Sequence, residues 1–308
     1  MMCDNGLKSQ NEDLNRSKVQ CYIRSVDLRH SYPFVKWAGG KNQLLNELDS
    51  LIPSKFNSYF EPFLGGGAMF FHLVSDKNLT FTAYLSDTNE ELIKTYKVVK
   101  ESVEELIEVL TEHQKEYDKN PSEYYYRLRD AIQTRNDVEI AARFITLNKT
   151  CYNGLYRVNK NGRFNVPRGR YKNPSICDSR NLENVSSVLR YSKAEIRSAD
   201  YRKMLLKAET NDLIYLDPPY KPVSSSSNFT AYTHQGFGDD DQFNLKKTFM
   251  ELSHKDCKVL LSNSDTPFIR KLYSDFSSHF KAVNVSRAIN CKASKRVGHT
   301  ELLVYNYS

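Results

Sequence analysis

The chain predicts an α/β fold: one sheet domain interrupted by a mostly helical insertion. Three observations carry that expectation. Apolar runs of strand length alternate with helix-like stretches near the start and again in the second half, at 58–63, 79–85, 194–198, 213–216 and 258–262. Between the two groups, residues 89–148 read as helical, with apolar spacing Val103, Ile107 and Leu110 in the Glu-rich part. A Gly65-Gly66-Gly67 turn joins the first strand to an apolar helix, and an acid, Asp87, ends the next strand. The sheet domain is assigned 31–93 and 180–308, the insertion 94–179, and residues 1–30 a polar extension without periodicity.

The elements follow in order. Phe34-Val35-Lys36-Trp37-Ala38-Gly39-Gly40-Lys41 is the first patterned segment, and 42–51 is helix-like. Ser58-Tyr59-Phe60-Glu61-Pro62-Phe63 is a short strand, and the glycine turn leads into a helix over 68–74. The second strand, 79–85, is closed by Ser86-Asp87. After the helical region, 149–171 is a loop or hairpin with turn signals Asn153-Gly154 and Asn161-Gly162. Segments 282–285 and 301–305 pair as a terminal hairpin around a polar, basic loop at 287–298. The serine run at 224–227 suits a mobile loop.

Bulk properties narrow the function class. With 308 residues, 40% hydrophobic and 26% charged, the chain is long enough and apolar enough for a large globular core. The net charge of +7 permits a polyanionic partner. Cysteines at 3, 21, 151, 177, 257 and 291 lack the spacing of a zinc knuckle or redox pair. They read as reduced thiols of a cytosolic protein, and no metal site is expected. No apolar stretch approaches membrane-spanning length, and no signal-peptide pattern is present.

The densest chemistry lies at Asp217-Pro218-Pro219-Tyr220. It closes the apolar run Leu213-Ile214-Tyr215-Leu216, and two prolines cannot continue a strand ladder. An acid, a rigid turn and an aromatic ring therefore share the carboxyl end of a central strand, where open α/β sheets bind ligands. This suits attack by a weakly nucleophilic amino group such as the exocyclic nitrogen of adenine. The Asp217 carboxylate accepts one amino hydrogen and the Pro218 carbonyl the other, and Tyr220 stacks on the base. Alone, the tetrapeptide also describes an ordinary strand-end turn.

Three glycines let backbone approach a ligand closely, and Asp87 follows Gly67 at about the ~20-residue spacing of a ribose-capping acid. The turn carries no basic residue to meet a pyrophosphate. A nucleoside cofactor without phosphate, such as S-adenosylmethionine, fits better than a dinucleotide. Trp37 and Lys41 face the methionine end of such a cofactor, where Lys41 meets its carboxylate; a core tryptophan beside surface lysines is the plainer alternative. From Ile140 through Cys177 there is no acid, while Arg143, Lys149, Arg157, Lys160, Arg163, Arg168, Arg170 and Lys172 interleave with aromatics. That pattern points to phosphate contact with stacking or wedging.

On these residues the chain resembles the Dam-like DNA adenine-N6 methyltransferases. The matching pieces are 34–41, Phe60 through Gly67, Ser86-Asp87, Tyr152 through Arg157, Phe164 through Tyr171 and Asp217 through Tyr220. They run in the family's order from about residue 34 to the end. The resemblance implies a Rossmann-like S-adenosylmethionine-dependent methyltransferase sheet, with the insertion as target-recognition domain carrying a β-hairpin loop. It implies cofactor binding by Trp37, Ala38, Gly39, Gly40 and Lys41, by Glu61, Pro62, Phe63, Gly65 and Gly67, and by Asp87 and Asp217. Asp217, Pro218, Pro219 and Tyr220 would hold a flipped adenine, since a stacked base cannot reach the cofactor.

The resemblance also assigns DNA contacts. The tyrosine matching Tyr152 wedges into the duplex, and the asparagine matching Asn153 meets the displaced partner region. The arginine matching Arg157 reads a guanine edge. Leu155 and Pro167 match positions touching thymine, and Lys36 a lysine on the first guanine. Arg170 and Tyr171 complete the DNA-contacting set. These positions agree with members that methylate GATC; others take CATG or longer sites. The implied protein acts on double-stranded DNA in the bacterial cytoplasm, at the nucleoid or from a phage. It has no membrane association and no obligatory protein partner; a cognate restriction endonuclease in the same system and a solitary repair or regulatory role are the open alternatives. Methylation of RNA adenine or of a glutamine amide, and a catalytically inactive DNA-binding module, are the rivals. The basic insertion argues against the amide, and intact Asp217, Asp87 and Lys41 against inactivity.

Overall fold

A computed structural model describes residues 30–41, 43–131, 136–220, 237–285 and 299–307. Nearly all of the extension, the serine run and the 287–298 loop therefore lie outside the described residues. Seven strands form one sheet: β1 (Ser58–Glu61), β2 (Thr82–Asp87), β3 (Glu195–Ser198), β4 (Leu213–Leu216), β5 (Lys258–Ser264), β6 (Phe280–Val285) and β7 (His299–Tyr305). Their order is β3-β2-β1-β4-β5-β7-β6. The first five run parallel, and β7 enters antiparallel between β5 and β6. The terminal hairpin expected from the sequence is the β6–β7 pair.

Chain order runs outward from β1 to β3, then restarts at β4 on the other side of β1. The switch point therefore lies between β1 and β4, and in doubly wound sheets ligands bind at the carboxyl ends of the strands there. Strand β4 is buried at all four positions. Leu213 and Tyr215 join one core, and Ile214 and Leu216 join the other. Burial on both faces explains why β4 reads as an unbroken apolar run.

The helices are α1 (Leu45–Asp49), α2 (Ala68–Phe71), α3 (Glu90–Glu101), α4 (Val103–Lys119), α5 (Pro121–Asp130), α6 (Asp137–Thr150), α7 (Ser179–Tyr191), α8 (Tyr201–Leu205), α9 (Asp239–His254) and α10 (Pro267–Leu272). Helices α3 to α7 stand between β2 and β3 in the chain. Asn89, Asn120, Asn136 and Asp178 cap α3, α5, α6 and α7 by accepting backbone N–H bonds, as short polar side chains do at helix starts. Helix α6 is buried on most sides, packed among α3, α4 and α5. Its Phe144, Ile145 and Leu147 belong to the same core as Leu73, Leu85 and Tyr215 of the sheet region.

Several local expectations shift. The buried stripe of α4 is Val103, Leu106, Leu110, His113 and Tyr117, so Leu106 rather than Ile107 points inward and Ile107 packs at its margin. Helix α2 is a single turn that widens into a π-type turn at His72–Asp76. There the His72 ring lies between Asp49 Oδ1 at 2.5 Å and Asp76 Oδ2 at 2.7 Å, joining α2 to α1. Strand β2 starts at Thr82, three residues later than its apolar run, because Leu79 bonds back to Leu73 first. Among the described residues, no helix is long and apolar enough to cross a membrane.

Candidate active site

The turn after β1 is shaped by two glycines. Gly65 (φ +48) and Gly67 (φ +70) take left-handed backbone, and a Cβ on Gly65 would lie 2.6 Å from the Trp37 ring. Tyr96 donates its hydroxyl to the Gly65 carbonyl at 3.2 Å. Asp87, at the end of β2, accepts the N–H of Gly65 at 3.0 Å and that of Asn89 at 2.9 Å. One carboxylate thus joins the glycine turn to the start of α3. Burial raises its pKa, and those N–H groups oppose the rise. The segment before α1 folds back onto this turn. Gly40 closes on the Trp37 carbonyl, and Gly39 (φ +79) lies beside the Lys41 ammonium. Ala38 is half-buried within that turn.

Lys41 is 4% exposed, and its Nζ lies 2.8 Å from Asp217 Oδ2 at the end of β4. It also donates to the Gly39 carbonyl at 2.6 Å. The sequence expectation set Lys41 against a cofactor carboxylate; here its carboxylate partner is Asp217. Burial raises the Asp217 pKa to about 6, with Lys41 holding it down and Glu301 pushing it up. Glu61, the last residue of β1, accepts the Tyr59 hydroxyl at 2.8 Å. Burial raises Glu61 to about 8. Two acids at adjacent strand ends are therefore both raised by burial, Glu61 more than Asp217, which Lys41 holds down.

Tyr220 donates its hydroxyl to Glu301 Oε2 at 2.5 Å, and its ring centre is 4.8 Å from the Lys41 ammonium. The Pro219 carbonyl accepts from Gln242 of α9, whose own side-chain oxygen accepts from Asn263 of β5. The two-proline turn is thus braced from the neighbouring strand. Pro62 and Pro218 are buried beside these strand ends. Phe63 turns toward the opposite core, stacked on Tyr201 at 5.2 Å and edge-on to Phe237 at 6.0 Å.

The basic loop is partly hairpin. Val158 and Phe164 form an antiparallel bridge around a turn in which Asn159 and Arg163 bond, while Cys151 bridges Arg168. Asn161-Gly162 therefore marks that tip. Asn153-Gly154 instead forms a tight helical turn with left-handed backbone at Asn153 (φ 55) and Gly154 (φ 63). The Tyr152 side chain is 41% exposed beside it, and Leu155 is half-buried. Arg157 is exposed and donates to the Asn165 side chain at 2.7 Å and the Asn165 carbonyl at 3.1 Å. Pro167 and Arg170 are exposed along the same loop. Lys36 lies with its ammonium 3.8 Å from the Tyr171 ring centre.

The two groups meet at Trp37. Its ring stacks on Tyr156 at 5.8 Å, next to Phe144 of α6. Tyr156 in turn donates to Glu91 of α3. Glu301, Gln242 and Asn148 were not singled out from the sequence. A lone acid opening the apolar run Glu301-Leu302-Leu303-Val304 was the available signal for the first. A polar Asn148 within apolar α6 was the signal for the last.

A sheet of this order, with acids at the switch point and a glycine turn lacking basic residues, is consistent with the S-adenosylmethionine-dependent methyltransferase fold. Comparison with known proteins gives the family. Residues 37–289 match the model of the D12 class N6 adenine-specific DNA methyltransferases, and the chain belongs to that family. It is 44% identical over 280 residues to the Type II methyltransferase M1.LlaDCHI of Lactococcus lactis subsp. cremoris, covering 89% of this chain and 95% of that protein. It is 44% identical over 290 residues to the Type II methyltransferase M.MjaIII of Methanocaldococcus jannaschii, covering 89% and 99%. With the DNA adenine methylase of Escherichia coli K12 it shares 34% over 278 residues, covering 90% and 95%. The chain is an adenine-specific DNA methyltransferase and uses S-adenosylmethionine.

The residues present fit that cofactor. At Gly65 a side chain would run into the Trp37 ring, so the backbone of the turn lies bare against Trp37 there. Asp87 meets backbone N–H groups of Gly65, Asn89 and Thr88 and, with about four carboxylate lone-pair sites, keeps acceptor capacity for a ribose hydroxyl.

Proposed function

We propose that the enzyme methylates adenine N6 in double-stranded GATC, acting on a base swung out of the duplex. The observation that carries this is the Lys41–Asp217 pair at 2.8 Å beside Tyr220, at the open end of β4. S-adenosylmethionine, when bound, supplies a methyl group on a positively charged sulfur. Everything else falls to the chain. Lys41 favours the ionised form of Asp217, which then accepts one N6 hydrogen while the Pro218 carbonyl accepts the other. Two acceptors turn the amino group away from conjugation with the ring and toward attack. Tyr220 stacks on the extruded base, with its hydroxyl tethered by Glu301. Extrusion is a geometric need, because N6 of a stacked adenine is hidden within the duplex. Trp37, Lys41, Glu61, Gly65, Gly67 and Asp87, with the 38–40 turn and Pro62-Phe63, surround the cofactor.

In this reading residues 94–179 recognise the target and 31–93 with 180–308 carry transfer. Tyr152 wedges into the stack, with Asn153 beside it. Arg157 reads one guanine and Lys36 the first, while Leu155 and Pro167 touch thymine methyls and Arg170 and Tyr171 follow the backbone. Exposure of Tyr152, Arg157, Pro167 and Arg170, against burial of the loop's underside, supports this. The protein works in the cytoplasm on the nucleoid or on phage DNA. It needs no protein partner for catalysis, and a cognate restriction endonuclease is its counterpart.

Expression in a host lacking adenine methylation, followed by sequencing of modified adenines on plasmid DNA, tests the assignment. GATC should be modified on both strands. Modification at CATG instead would replace the site while keeping the reaction.

A further inference from the structure

Asn148 lies near the end of α6 and is 3% exposed. Its Oδ1 accepts the Lys36 N–H at 2.7 Å, and its Nδ2 donates to the Lys36 carbonyl at 2.7 Å and the Gly154 carbonyl at 3.2 Å. One amide therefore holds both peptide groups of Lys36 and ties them to the turn that follows Tyr152. Close packing reinforces the tie, since a Cβ on Gly154 would lie 2.4 Å from Lys36 Cβ. The Lys36 ammonium rests on the Tyr171 ring. An amide buried in an apolar helix is costly unless its bonds are made, and neither the catalytic acids nor the glycine turn uses this one.

We propose that Asn148 is a specificity-positioning residue: it locks the Lys36 main chain to Gly154, so that Lys36 and the Tyr152–Gly154 turn meet DNA as one rigid body. The inference rests on the reading of Lys36 as the contact to the first guanine. Arg157 is braced separately, by Asn165 across the hairpin. Loss of Asn148 should therefore relax choice at the first guanine and spare the base pair that Arg157 reads.

The test compares kcat/KM on duplexes carrying GATC, a changed first base pair, or a change at the Arg157 base pair. The proteins are wild type, Asn148→Asp, Gly154→Ala and Lys36→Ala. Asn148→Asp keeps the acceptor and loses both donors. Gly154→Ala pushes on Lys36 from the other side and serves if the first variant fails to fold, which circular dichroism reports. Discrimination at the first guanine should fall about tenfold in both, and stay within about twofold at the Arg157 base pair. Equal loss at both positions, or unchanged discrimination in folded variants, would overturn the proposal. If Lys36→Ala relaxes the first position and the other two do not, the Lys36 contact stands and the role of Asn148 falls. If Lys36→Ala changes nothing there, the Lys36 contact itself is wrong.

Discussion

The strand-end site and the basic loop at 149–171 hold their polar side chains in opposite ways. Lys41 and Glu61 are buried, and Asp217 is 19% exposed; Lys41 and Asp217 are fixed by a short bond to each other, Lys41 also by the Gly39 carbonyl, and Glu61 by the Tyr59 hydroxyl. Arg157 is exposed and rests on a single asparagine, while Pro167 and Arg170 lie open along the loop. Burial makes charge expensive and interactions strong, so the first region can shift protonation and orient a reacting atom. Exposure leaves the second region free to exchange its own hydrogen bonds for those of a base or phosphate. Changes in the first should therefore alter rate, and changes in the second should alter choice.

Three substitutions sharpen that contrast. The largest effect belongs to Asp217→Ala, which removes an acceptor where the amino group reacts. Methyl transfer should fall at least about a hundredfold to a thousandfold, while DNA binding in a gel-shift assay persists. Wild-type turnover by this protein would end the assignment. Next is Arg157→Ala, expected to cost about 1–3 kcal/mol at one base pair and little elsewhere. Transfer rates on duplexes altered at single positions decide it; equal loss on every duplex would mark Arg157 as a phosphate contact.

The smallest effect is a pH shift. Asp217 must be ionised to accept a hydrogen, and its pKa of about 6 places the acid limb of transfer near that pH. Lys41 lowers this value, and Glu301 raises it. Glu301→Gln removes the raising charge and keeps an acceptor for the Tyr220 hydroxyl, so the limb should move to lower pH. Profiles of kcat/KM for the two proteins check this. An unmoved limb would show that the titrating group is not Asp217, or that Glu301 is not felt there.

Much of the strand-end site could be read in advance because its parts are local. A Pro-Pro turn after an apolar run, three glycines after a strand, and an acid closing the next strand each declare themselves within a few residues. The loop was legible in composition, since an acid-free basic stretch stands out, and Asn161-Gly162 marked its tip. Its other Asn-Gly signal misled in form. Asn153-Gly154 makes a helical turn because Gly154 must fit against Lys36, more than a hundred residues away in the chain. Ile107 was misplaced for a similar reason: the neighbours packed against α4 select Leu106 for the interior.

By itself, the sequence determined the α/β class, the strand runs, the place of Asp217-Pro218-Pro219-Tyr220 at a strand end and the basic character of the insertion, because periodicity, turn chemistry and charge are properties of short segments. Only the tertiary structure decided that Lys41 pairs with Asp217, that Glu301 tethers Tyr220, and that Asn148 and Trp37 link the cofactor-side segment to the recognition loop. Those contacts join residues distant in the chain, and it is strand order and helix packing that bring them within hydrogen-bonding or stacking distance.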